Sequence, residues 1–64
     1  TTPAAYLTDQ RMAAAARMLE STTSQVGRIA ATVGYASEPA FSRAFRRRFG
    51  VPPLAWRKGL RPEA

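Results

Sequence analysis

The 64-residue chain carries ten Lys and Arg against four Asp and Glu, a formal charge of +6, and contains neither Cys nor His. One domain is the most this length supports, and a domain so small buries only about 60% of the surface its unfolded chain exposes. The missing residue types exclude a disulfide scaffold and, with Asp9, Glu20, Glu38 and Glu63 as the only acids, a closed zinc site.

The first helix is expected over residues 3–20. Thr2 suits the N-cap and Pro3 the first helical position, where its missing N–H costs nothing. No Gly and no second Pro follows before Ser21, and Ala, Met, Leu, Arg and Gln dominate. Leu7, Met12, Ala15, Ala16 and Leu19 fall on or near one stripe, and Tyr6 reads as a packing residue. The small alanines let another helix approach closely. Ser21, Thr22, Thr23 and Ser24 then break the pattern, as caps and turns do.

A second helix is expected over 25–33, capped by Thr23 or Ser24, with Val26, Ile29, Ala30 and Val33 on one face and Arg28 on the other. Gly34 suits a helix stop because it takes the left-handed conformation without a steric penalty. Ser37 caps a third helix whose first turn holds Glu38 and Pro39 and which runs to Phe49, with Gly50 as its end. Pro52 and Pro53 force a bend before a short last helix over 54–59, where Leu54 and Trp56 are the expected apolar contacts. The tail 60–64 is expected to fray. Two helices joined by about three residues with a Gly form the helix-turn-helix layout. No segment alternates with the period of a strand.

The third helix divides its faces by chemistry. With Phe41 at zero on a helical wheel, Ala44, Phe45 and Phe49 fall within about 80° of it, while Pro39, Arg43, Arg46 and Arg47 lie between about 140° and 240°. Arg48 falls on the apolar side, so it must reach outward or pair with an acid. Residues 39–61 hold Arg43, Arg46, Arg47, Arg48, Arg57, Lys58 and Arg61 and no acid, a local balance of +7. A basic cluster by itself reads equally as a solvated surface. On the second helix of a helix-turn-helix, opposite a phenylalanine stripe, it reads as a DNA contact. A major groove about 12 Å wide admits one helix. Arg43 then suits a bidentate contact to guanine, Ser42 a base or phosphate, Glu38 a cytosine amine, and Pro39 apolar contact to a thymine methyl. Arg46 and Arg47 suit phosphate, as do the groups around Thr23, Ser24 and Ser37. The phenylalanines share the face that must be covered, so they read as core and not as base-stacking platforms. Gly34 and Gly50 are isolated helix terminators, and no nucleophile–base pair, metal cluster or phosphate-cradling loop is present, so a catalytic centre and a cofactor are not expected.

Ile29-Ala30, Val33-Gly34-Tyr35, Phe41-Ser42-Arg43-Ala44-Phe45, Phe49-Gly50 and Pro53 before Trp56-Arg57 resemble the C-terminal signature of AraC/XylS-type transcription regulators. The resemblance implies an all-α, homeodomain-like bundle of about four helices. Residues 1–21 would be the linker helix closing a first helix-turn-helix subdomain, and 22–64 the second subdomain, with its recognition helix at about 38–49. It also places the base-reading slots on Glu38, Pro39, Ser42 and Arg43. Pro39 stands where a polar reader is common, and Pro52 where a Ser cap is common. Pro3, Ala5, Tyr6 and Arg11 recur fifty positions later as Pro53, Ala55, Trp56 and Arg61, as a duplicated unit would produce. The expected function is sequence-specific binding of double-stranded DNA for transcription regulation. The alternative is a subdomain that contacts RNA polymerase with weak or nonspecific DNA contact. Dimerisation, where it occurs, is assigned to a domain outside this chain. With no membrane span and no signal peptide legible, the expected location is the cytoplasm.

Overall fold

The computed structural model describes residues 3–62, and among them every regular element is a helix. The order is α1 (Pro3–Ser21), α2 (Val26–Thr32), α3 (Glu38–Phe49) and α4 (Pro53–Arg57). The expected Thr2 cap lies outside the described residues.

The long α1 buries Met12, Ala15, Ala16 and Leu19. Burial therefore begins at its third turn. Leu7, expected on the same stripe, is 49% exposed, and Tyr6 is 59% exposed, with its hydroxyl bonded to Gln10 Nε2 at 2.6 Å. Both expectations are corrected by the same cause: the other three helices pack along the later turns of α1, where its buried residues cluster.

α2 is shorter by a residue at each end than its apolar spacing predicts. Gln25, not Thr23 or Ser24, is its N-cap, and it makes no side-chain capping bond. Its C-terminus closes through the φ of +97° at Gly34. Gly34 N donates to Ala31 O at 3.1 Å and Tyr35 N to Ala30 O at 2.9 Å, so two of the last carbonyls are satisfied as the chain reverses. The expected Ser37 cap of α3 is present: its side chain accepts from Ala40 N at 3.2 Å. Gly50, at φ +84°, ends α3 with its N–H on Arg46 O.

Met12, Ala15, Ala16, Leu19, Val26, Ile29, Ala30, Val33, Phe41 and Phe45 form the core. Trp56 packs on its edge, but Leu54 is 57% exposed. In a helix of five residues the inner side is taken by Pro53 and Trp56, which leaves Leu54 outward. The tail, expected to fray over 60–64, is tied down over 60–62, and Glu63 and Ala64 lie outside the described residues. Leu60 N donates to Ala55 O at 3.0 Å, and Pro62 lies against Gly50.

Candidate nucleic-acid interface

The seat of α3 is a run of rings. Phe41 and Phe45 are fully buried, and their centroids lie 5.8 Å apart. Tyr35 meets Phe41 edge-on at 5.7 Å, and Trp56 meets Phe45 edge-on at 5.7 Å and Phe49 at 4.7 Å. Such pairs add about 0.5–1.5 kcal/mol each beyond the area they bury. They hold one side of α3 against α4 and Tyr35, and the core joins the same side to α1 and α2, so its opposite side is presented in a fixed orientation.

The arginines of residues 39–61 then fall into two groups. Arg48 pairs with Asp9 at 3.2 Å and lies over the Phe49 ring, 5.1 Å from its centroid. Arg61 stacks on Trp56 at 3.5 Å and approaches Glu20, which also accepts from Trp56 Nε1 at 3.0 Å. Arg57 donates from Nε to Leu19 O and from Nη2 to Thr22 O, both at 3.1 Å, and so caps the C-terminal end of α1. Arg43, Arg46 and Arg47 are exposed, and their side chains make no hydrogen bond or ion pair among the described residues. Arg46 and Arg47 also lie in the last turn of α3, where positive charge favours the helix itself. Arg43 lies outside that turn, so helix stabilisation does not account for it.

The exposed face of α3 is itself divided. Arg43 and Arg47 border an open groove of about 640 Å³, together with Ala40, Ala44 and Arg48 of α3, Tyr35, and the first two turns of α1 at Ala4, Ala5, Thr8 and Asp9. Ser42 and Arg46 stand outside this groove. At the other end of α3, the carboxylate of Glu38 lies beside Gly27, so the starts of α2 and α3 are neighbours.

A family description for a helix-turn-helix domain matches residues 1–59. The chain belongs to the AraC-type helix-turn-helix family. Transcription regulators of several bacteria are similar to it. The RCS-specific HTH-type transcriptional activator RclR of Escherichia coli strain K12 is 48% identical over 61 residues, 95% of this chain and 22% of the relative. The HTH-type transcriptional regulator AlkR of Acinetobacter baylyi is 42% identical over 57 residues, 89% of this chain and 19% of the relative. A putative AraC-like transcription regulator of Streptomyces lividans is 46% identical over 56 residues, 88% of this chain and 18% of the relative. The chain thus spans about a fifth of the length of these relatives. No solved structure gives a significant match.

Within the AraC-type domain, Glu38, Pro39, Ser42 and Arg43 lie along the first half of α3; Ser42 is half-buried and the other three are exposed. Ser37 spends its acceptor on Ala40 N, which leaves its hydroxyl proton for a ligand. Thr23 is exposed, but the Ser24 backbone N–H donates to Thr22 Oγ1 at 3.3 Å and is not a free donor. The roles that sequence reasoning missed are those of Arg57 and Arg61. Charge alone placed the two arginines in the attracting field, and only their partners reveal a structural use.

Arg57→Ala leaves two carbonyls at the end of α1 without their donor. Because hydrogen bonds to a charged group are worth about 1.5–3 kcal/mol and this site is only half-buried, the expected loss is about 1–2 kcal/mol in a urea unfolding curve of unchanged slope. The salt dependence of DNA binding should stay as in the parent. A drop of about one in that slope would mark Arg57 as a phosphate contact instead.

Proposed function

We propose that this chain binds double-stranded DNA sequence-specifically, with α3 in the major groove, as one part of a longer cytoplasmic transcription regulator. The observation that carries this reading is the partnerless set Arg43, Arg46 and Arg47 on the side of α3 away from buried Phe41 and Phe45. Two of the three acids among the described residues engage other groups: Asp9 holds Arg48, and Glu20 holds Trp56 and Arg61. In this reading Glu38, Pro39, Ser42 and Arg43 meet base edges, and Arg46 and Arg47 meet phosphates, helped by the hydroxyls of Thr23, Ser24 and Ser37. It is a binding module without a catalytic step. Family membership and the similarity to named transcription regulators support it.

We also read 1–21 as a linker helix and 22–64 as the DNA-reading unit. The exposed Tyr6 and Leu7 on the first turns of α1 support this. The repeat-mate of Tyr6, Trp56, is covered by Phe45 and Phe49, so Tyr6 sits where an equivalent cover would go.

A salt titration of binding to duplex DNA tests the electrostatic part. Two guanidinium groups on phosphates should give a log–log slope of about −2, since each neutralised phosphate contributes about −0.9. Arg46→Ala and Arg47→Ala should each reduce that slope by about one, equally on all sequences. A titration that stays flat between low and moderate salt rejects the reading.

A further inference from the structure

We propose that Gly27 is a specificity-positioning residue: by carrying no side chain it leaves a place on the first turn of α2 that the Glu38 carboxylate occupies. Glu38 is thereby aimed at a base edge from one direction. The proposal rests on the reading of Glu38 as a base contact.

The geometry is local and specific. Gly27 is the second residue of α2, and Glu38 is the first residue of α3. A Cβ built on Gly27 would stand 3.0 Å from Glu38 Oε1 and 4.0 Å from its Cδ, the first of these inside ordinary van der Waals distance. The Glu38 side chain makes no hydrogen bond or ion pair among the described residues, so no bond holds its carboxylate in place. The carboxylate instead occupies the space left beside the glycine. Gly is among the least favourable helix residues, and a seven-residue helix has few turns over which to absorb it. Room for Glu38 is the structural use that this glycine has.

An added methyl meets the far end of a flexible, exposed side chain, so alanine at position 27 moves the carboxylate and leaves the fold intact. A hydrogen bond to a cytosine amine tolerates only a few tenths of an ångström before it weakens. Stability and recognition should therefore separate. Helix propensity favours the alanine, while base preference suffers from it.

The test takes the full-length protein and the duplex that it selects from a random library. All four base pairs are placed in turn at each position under α3. The parent, G27A, E38A and the double variant are compared for relative affinity and for thermal unfolding. G27A is expected to keep or raise the unfolding temperature and to bind mixed-sequence duplex as the parent does. It should lose about fivefold or more of the preference at a single base pair, a loss of the size expected for one base contact. That base pair should be the one at which E38A also loses preference, and in the E38A background G27A should add nothing. The proposal is overturned if G27A keeps the parent's preference. It is also overturned if G27A shifts preference as much without Glu38 as with it, or if it lowers the unfolding temperature and binding to every sequence together. A different result, E38A leaving every preference unchanged, removes the reading of Glu38 itself and this proposal with it.

Discussion

Arg43→Ala is expected to erase discrimination at the base pairs beneath α3 while affinity for random duplex stays within a few-fold of the parent. The side chain is exposed and bonds to no described residue, so its removal takes nothing from the fold. A guanidinium on the N7 and O6 of guanine is worth about 1–3 kcal/mol of discrimination, or roughly 5- to 150-fold between the right base and the wrong one. A phosphate contact behaves differently. Its loss weakens all sequences alike and lowers the salt slope by about one. The two roles are therefore separable in one set of titrations on cognate and scrambled duplex. Arg43→Lys keeps the charge but not the planar pair of donors, so it should restore nonspecific affinity more fully than preference. Unchanged preference in Arg43→Ala would place base reading elsewhere on the helix.

Phe45→Ala should remove a large share of the folding stability. Its ring is wholly buried and touches Phe41, Phe49 and Trp56 at centroid distances of 5.8, 4.6 and 5.7 Å. Phe→Ala in a core costs about 3–5 kcal/mol. At the usual 0.05–0.15 kcal/mol per residue, a chain of this length has about 3–10 kcal/mol in total. The truncation thus removes from a third to all of the stability. It also frees α3 from the surface that fixes its orientation. Circular dichroism on heating should show a broad, low-temperature loss of helix, and DNA binding should fall for cognate and scrambled duplex together. Leu54→Ala, at an exposed site in the adjoining helix, should stay within about 0.5 kcal/mol of the parent. A sharp transition at the parent's temperature in Phe45→Ala would refute the central role given to that ring.

Much of this architecture was legible residue by residue. Ser37 and Gly50 mark the two ends of α3 because a hydroxyl at one end and a left-handed backbone at the other are local devices that need no distant partner. Gly34 is legible for the same reason. The phenylalanine stripe at spacings of four needs only the helical period. Leu7 and Leu54 lie outside the core, and the sequence does not show it, because periodicity says which residues share a face but not how far along a helix its neighbours extend. The first two turns of α1 contribute nothing to the core, and the inner side of α4 is already filled.

The identities and faces of the helices, and the separation of aromatic from basic residues on α3, follow from the sequence alone, since each depends on neighbours within about two turns. Which arginines remain available to a ligand was decided by the tertiary structure. Arg48 meets Asp9 across 39 residues of chain, and Arg57 meets Leu19 O across 38. A charge count is blind to such pairings, because they exist only once α1 has been laid against α3 and α4. That packing leaves Arg43 without a partner, and it sets the Glu38 carboxylate beside Gly27.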